Sequence, residues 1–392
     1  MIDSKLAAHR QQFPALSNKA YFNYGGQGPL SQVSLEAIEQ SYQYVQEKGP
    51  FSGAVSEWVM EESRATRAAI ASELGVPASG IALTEDVTVG CNIALWGIDW
   101  QAGDHLLMSD CEHPGIVAAV QALQRRFGIE VSICPLKATL NAGDPVQAIA
   151  EQLRPQTRLL VISHILWNTG QVLPLGEIVK VCHSYPATKG VVRVLVDAAQ
   201  SVGVLPLKLI ETAVDFYAFT GHKWWCGPEG LGGLYVSAEA LAELHPTFIG
   251  WRGIVTDRAG QPTGWKPGGL RYEIATSAYP LLGGLRAAIA LQHQWGTVEE
   301  RYQEIRRLSQ FLWQGLGEIP QIHCLRESPP EAGLVAFELT NGKSHQELVK
   351  FLEQQGCMVR TILNPNCIRA CVHYLTLEAE IEQLLTGIRN FV

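Results

Sequence analysis

The 392-residue chain has no apolar run long enough to cross a bilayer, which takes about 20 residues. Its first residues, Met1-Ile2-Asp3-Ser4-Lys5, lack the apolar core of a signal peptide. Basic residues are outnumbered: 30 Lys and Arg stand against 38 Asp and Glu, a formal net charge of −8. With no long basic run either, nucleic acid and anionic membrane are excluded as main partners. The nine cysteines are odd in number and form no Cys-x-x-Cys pair. That excludes a disulfide framework and a zinc site, and it points to reduced thiols in the cytoplasm. No metal is expected. Repeats and low-complexity stretches are absent. The glycine-rich segment Tyr21-Phe22-Asn23-Tyr24-Gly25-Gly26-Gln27-Gly28-Pro29 is followed by no Gly-Lys-Ser/Thr, so it is not a phosphate loop of that kind. It reads instead as a segment laid across a binding cleft.

What is present is an ordinary globular composition, 47% hydrophobic, long enough for a large domain and a smaller one. A helix is expected up to about Pro14, with Leu6 and Phe13 on its apolar side. From about residue 80 to residue 236, apolar strands alternate with helices. Strands are expected at 80–83, 105–109, 130–134, 158–163, 192–196, 216–219 and 231–236, with helices at 89–96 and 116–126. Near-continuous apolar strands alternating with helices imply a mostly parallel, seven-stranded sheet covered on both faces, an α/β fold. Beyond residue 245 the text becomes loop-like. A helix is then expected over 281–316, strands at 334–339, 358–360 and 368–374, a helix at 345–354, and a closing helix from Leu377.

In such a sheet ligands bind along the carboxyl edge. Thr88 follows the first strand, His113 the second, Asn168 the fourth, Asp197 and Gln200 the fifth, and Lys223 the sixth. Lys223 sits in Thr220-Gly221-His222-Lys223-Trp224-Trp225, directly after a buried strand. A lysine desolvated there has a lowered pKa and a nucleophilic amine. Such an amine forms a Schiff base with a carbonyl, and pyridoxal phosphate is the common one. Asp197 would then pair with the pyridine nitrogen. Thr88 would bind phosphate through its hydroxyl and the free N–H groups of a helix start, with Thr220 and His222 beside it. His113 would stack on the ring. Gln200 would reach the phenolic oxygen, and Asn168 that oxygen or a substrate carboxylate. Each residue also has a plain reading: a solvated lysine, an aspartate or threonine cap, a surface or turn histidine.

Asp197-Ala198-Ala199-Gln200, Thr220-Gly221-His222-Lys223 and Gly227-Pro228-Glu229-Gly230-Leu231-Gly232 together resemble the signature of the cysteine desulfurase branch of class V aminotransferases. The likeness runs from Tyr21-Phe22-Asn23 to Arg369. It implies pyridoxal phosphate fold type I and a homodimer with shared active sites. By that resemblance Lys223 is the Schiff-base lysine, Asp197 the pyridinium partner, His113 the stacking ring and Ala199 the packing on the other face. Val87, Thr88, Thr220 and His222 hold the phosphate, with Thr276 donated by the second subunit. Arg369 clamps the substrate carboxylate, as a bidentate guanidinium does. The implied domains are an N-terminal segment (1–20) packing on the small domain, a large cofactor-binding domain (21–280) and a small α+β domain (281–392).

Two departures from the family pattern matter. The phosphate turn reads Asp86-Val87-Thr88, so Asp86 must point away from the phosphate. Desulfurases carry a nucleophilic cysteine on a loop before the carboxylate-binding arginine. Here Cys367 lies two residues before Arg369, in strand-like text, with Cys357 and Cys371 similarly tethered. Without a mobile thiolate the substrate must supply its own leaving group, as L-cystine does. Arg360 would bind cystine's second carboxylate, or is a plain surface strand residue; Trp251 is a further substrate-binding candidate. The expectation is therefore a carbon–sulfur lyase similar to the cystine C-S lyases. It would give pyruvate, ammonia and a persulfide, with an Fe-S apoprotein as possible sulfur acceptor. The alternatives are a cysteine desulfurase or selenocysteine lyase giving alanine, and a non-catalytic scaffold that only handles sulfur.

Overall fold

The computed structural model describes residues 4–392; residues 1–3 of the expected N-terminal segment lie outside the described residues. Its centre is a seven-stranded sheet: β1 (Ile81–Thr84), β2 (His105–Ser109), β3 (Glu130–Cys134), β4 (Thr157–Ser163), β5 (Arg193–Asp197), β6 (Phe216–Thr220) and β7 (Gly232–Val236). The strand order is β1-β7-β6-β5-β4-β2-β3. β7 runs antiparallel to β1 and β6, and the other neighbours are parallel. Successive side chains of a strand point to opposite faces, and the core divides accordingly. Leu107, Leu160, Ile162, Val194, Val196, Tyr217 and Phe219 pack on one side. Leu106, Met108, Leu159, Val161, Leu195, Phe216 and Ala218 pack on the other. Burial on both faces is why these strands read as continuous apolar runs.

Two helices feed the carboxyl edge: α1 (Val87–Gly97) after β1 and α2 (Pro114–Phe127) after β2. Asp86 caps α1, its Oδ1 accepting from Val89 N at 2.9 Å. The acidic residue in the turn is thus explained as an N-cap. His113 is the N-cap of α2, and Pro114 takes the first helical position, where no N–H is needed.

The helix expected at 281–316 is two helices, Pro280–Trp295 and Val298–Gly317. Gly296 interrupts them, and Thr297 with Glu300 forms a capping box that starts the second. Pro280–Trp295 packs against two helices on which the sequence reading was silent, Gln32–Lys48 and Gly53–Leu74. Leu282, Leu285 and Ile289 join the core on one face of the large sheet. The second sheet is antiparallel, in order β8 (Ile322–Cys324), β9 (Leu334–Leu339), β11 (Cys367–Cys371), β10 (Arg360–Ile362). The expected strand at 358–360 is divided: Cys357–Met358 pairs in parallel with Ala20–Tyr21, and β10 begins at Arg360. The expected strand at 368–374 ends at Cys371. Among the described residues no helix is long and apolar enough to cross a membrane.

Candidate active site

The carboxyl edge of the large sheet and the β10–β11 pair enclose a cavity of about 260 Å³. Val87, Thr88, His113, Asp197, Ala199, Gln200, His222, Lys223, Arg360 and Arg369 all line it. Eight of these come from four separate strand-to-helix or strand-to-loop turns of the large sheet. That convergence is what the parallel topology does to residues far apart in sequence.

At the base, Asp197 is 6% exposed, and its Oδ1 accepts from Ala199 N at 2.9 Å. Burial raises its pKa above the usual carboxylate range, opposed by the Ala199 N–H and by Lys223 and His113. Lys223 moves the other way: burial lowers it to about 8, with Arg369 and Arg360 adding to the effect and Asp197 opposing it. No carboxylate lies within ion-pair distance of Lys223 among the described residues. Burial also lowers His113, with help from Lys223 and Arg360, so the ring is neutral near pH 7. Its Nδ1 accepts from Gly115 N at 3.2 Å, and its edge meets Trp167 with centroids 5.6 Å apart.

The loop carrying Lys223 is held by the glycine-rich segment. Gly28 N donates to His222 O at 2.7 Å. A Cβ at Gly28 would collide with the Lys223 carbonyl oxygen and approach Cys226 Sγ to 2.8 Å. Only glycine permits this backbone crossing. Cys226 closes the loop at φ 53°, in the left-handed region that non-glycine residues avoid. Gly25 and Gly26 line the cavity, as expected of a segment across a cleft.

Arg369 is 2% exposed and donates to Trp167 O at 2.7 Å. Its Nε has no partner, and no acidic side chain pairs with it among the described residues. Arg360 is its cross-strand partner on β10 and shares the cavity. Like charges directly opposite on a sheet destabilise it. Two such arginines at a pocket mouth are complementary to an anionic ligand.

The cavity fits pyridoxal phosphate on several counts. The N–H groups of Val87 and Thr88, in the first turn of α1, have no acceptor within the helix and line the cavity, as an anion site requires. A buried carboxylate, a desolvated lysine and an unpaired arginine provide for a ring nitrogen, a carbonyl and a substrate carboxylate.

Four expected site residues lie outside this cavity. Thr220 is fully buried behind it, its Oγ1 2.7 Å from His222 Nδ1, so it orients the histidine. Asn168 Nδ2 donates to Asn364 O at 3.0 Å, tying the β10–β11 turn to the large sheet, and its buried Oδ1 has no partner. Thr276 lines a separate cavity of about 430 Å³ with Thr84, Glu85 and Arg252. Trp251 is 57% exposed. Conversely, Ser163, Trp167 and Asp86 line the cavity without having been singled out as ligands. Ser163 had a usable signal: it ends β4 as Asp197 ends β5, and the two are cross-strand partners.

Fold and site together define an enzyme of the aminotransferase class-V family. The family model matches residues 20–385, and the chain belongs to that family. The cystine C-S lyase C-DES, solved with its reaction product cysteine persulfide, is 52% identical. The match covers 97% of this chain and 99% of C-DES, at a TM-score of 0.95. A C-DES lysine-to-alanine variant, with glycine covalently linked to its PLP cofactor, matches at 51% identity over the same shares and with the same TM-score. A cysteine desulfurase of Escherichia coli O127:H6 is 30% identical over 80% of this chain and 78% of its own length. The chain also matches a probable cysteine desulfurase of Mycolicibacterium paratuberculosis at 27% identity over 96% of this chain, spanning about half (55%) of that protein.

Proposed function

We propose that this chain is a pyridoxal 5′-phosphate-dependent carbon–sulfur lyase acting on L-cystine. The products are pyruvate, ammonia and cysteine persulfide, a source of sulfur for Fe-S clusters. The observation that carries the lyase reading is the composition of the cavity. No cysteine lines it among the described residues, while two unpaired arginines do. Cys357, Cys367 and Cys371 are each no more than 1% exposed, and burial raises the first to about 11 and the second to about 12. A desulfurase needs a mobile thiolate; none of these can supply one. The 52% identity to a cystine C-S lyase supports the same reading.

When bound, the cofactor supplies a carbonyl for the substrate amine and a ring that accepts electrons. The chain's own residues do the rest. Lys223 Nζ, lowered by burial to about 8, would tether the cofactor and then take the proton from the substrate α-carbon. Asp197 pairs with the ring nitrogen, and burial behind it keeps that pair out of water. His113 and Ala199 would pack against the ring, Gln200 would bond its phenolic oxygen, and Val87, Thr88 and His222 would hold the phosphate. Arg369 clamps the α-carboxylate, and Arg360, on the same sheet face, takes the distal carboxylate that only cystine has.

A homodimer is part of this reading. Thr276 is flanked by exposed Phe248, Ile249, Trp251 and Ile274. A two-fold copy covering this face would bring Thr276, and with it Trp251, to the partner's cofactor site. The division into an N-terminal segment, a large cofactor-binding unit and a small C-terminal α+β unit, the cytoplasmic location and an Fe-S apoprotein acceptor belong to the same proposal. All nine cysteines are free, in keeping with a reducing compartment. Product analysis tests it. Cystine is expected to give stoichiometric pyruvate, and alanine as the main product from cysteine would replace the lyase with a desulfurase.

A further inference from the structure

Beneath the cavity floor lies a second buried acid that the mechanism above does not use. Glu112 precedes His113 in the turn between β2 and α2, and it is 6% exposed. Its Oε1 accepts from Ser163 N at 3.0 Å and from Ser109 Oγ, and its Oε2 lies 2.9 Å from Ser163 Oγ. These contacts join three things: the end of β2, the end of β4, and the turn that aims His113. Ser163 lines the cavity, and its cross-strand partner on β5 is Asp197.

The charge balance around Glu112 is one-sided. Asp197 faces it from β5, and the Cys91 thiol faces it from α1. Cys111 and His113 are its chain neighbours. No Lys, Arg or His lies within ion-pair distance of its carboxyl among the described residues. Two carboxylates buried together without a cation cannot both ionise cheaply. Each of the two accepts one backbone N–H, but Lys223 and His113 face Asp197, so Asp197 keeps the charge.

We propose that Glu112 is a positioning residue held as the neutral acid, whose Oε2–H donates to Ser163 Oγ and so turns the serine O–H into the cofactor cavity beside Asp197. The contacts accommodate this form without change. Oε1, the carbonyl oxygen of the acid, already has two donors, and Oε2 has one neighbour, a hydroxyl that can accept as well as donate. With Glu112 ionised, the Ser163 proton would be drawn down to Oε2 and lost to the cavity. Burial, with Asp197 adding to it and the Ser109 and Ser163 hydrogen bonds opposing it, raises the acid to about 8, which agrees with the neutral form at pH 7. Asp197 then carries the single negative charge of this buried pair, which leaves it as the partner for the ring nitrogen. The cofactor assignment rests on the proposed function; the protonation state of Glu112 does not.

The test therefore begins on cofactor-free protein. Infrared difference spectra between wild type and Glu112→Gln at pH 6.5 should show one protonated-carboxyl C=O stretch, fading as pH rises through about 8. Ser163→Ala should move that band to higher frequency, because the acid loses its acceptor. In loaded protein, Ser163→Ala should weaken cofactor retention on dialysis about fivefold, the value of one hydrogen bond of about 1 kcal/mol. Absence of the band at pH 6.5, or a band unmoved in Ser163→Ala, overturns the neutral-acid assignment. Unchanged retention with the band shift intact overturns the role of the serine toward the cofactor while leaving the acid assignment standing.

Discussion

Replacing Arg369 by Gln separates what the guanidinium does for the substrate from what it does for the fold. In the proposed substrate complex the guanidinium would make two parallel charge-assisted hydrogen bonds to a carboxylate, each worth about 1.5–3 kcal/mol. Gln recovers one neutral bond of about 1 kcal/mol, so the net loss is about 2–5 kcal/mol. That is a fall in kcat/KM of roughly 30- to 5,000-fold with cystine and with cysteine alike. The fold has little to lose. Arg369 is buried, has no acidic partner among the described residues, stands opposite Arg360 and helps depress Lys223. Its one protein contact, to Trp167 O at 2.7 Å, is worth about 1 kcal/mol. Stability of Arg369→Gln should therefore stay within about 1 kcal/mol of wild type, because relief of repulsion offsets the lost contact. Steady-state kinetics and urea unfolding of the cofactor-free protein measure the two halves separately. A variant that unfolds several kcal/mol early, with an activity loss explained by its unfolded fraction, would make Arg369 a structural residue and sink the argument.

Three further outcomes follow from the same geometry. Lys223 is lowered on folding from 10.5 to about 8, so the folded chain binds fewer protons across that window and stability rises with pH there. The gain is up to about 3 kcal/mol, and a Lys223→Ala variant should lack that slope and fail to retain cofactor covalently. Gly28→Ala forces a methyl onto the Lys223 carbonyl. Overpacking of this kind costs about 1–3 kcal/mol and should also shift the absorbance of bound cofactor, because the Lys223 loop must move. Arg360→Ala should raise KM for cystine at least about tenfold more than KM for cysteine, since a charged hydrogen bond is worth about 1.5–3 kcal/mol; equal effects on the two substrates would remove its distal role.

The strands of the large sheet were readable because both their faces are buried, so composition alone marked them. The residues at their ends were readable because parallel topology makes a strand end a ligand edge. Where the outcome depended on a single long-range contact, sequence was silent. Asn168 is expected at the cavity by position, but one N–H donor of its amide goes to the Asn364 carbonyl, 196 residues on. Glu112 looks like an ordinary turn acid until Ser163, 51 residues on, is placed against it. Asp86, awkward beside a phosphate, is resolved by local geometry, since its carboxylate is occupied at Val89 N. The helix Gln32–Lys48 is mostly exposed and polar, and in Gly53–Leu74 the buried residues are interleaved with exposed ones, so no apolar run marks either.

The cysteines link these observations to the chemistry. Cys367 and Cys371 both lie in β11, on either side of Arg369, and both are fully buried. β11 pairs with β9 on one side and β10 on the other. A thiol on a strand paired on both edges cannot travel to a cofactor without breaking those ladders. The β10–β11 turn is free of such pairing, and it carries Leu363, Asn364, Pro365 and Asn366 instead of a cysteine. Asn364 is moreover anchored to Asn168 and Lys137 of the large unit. The turn is thus held in place, and the two arginines lie on the strands it joins. Under the proposed function, with no mobile cysteine at hand, carbon–sulfur cleavage falls to proton removal by Lys223 and to a substrate whose sulfur is already a leaving group. A disulfide meets that requirement and a free thiol meets it poorly, so the arginine pair and the missing cysteine select the same substrate.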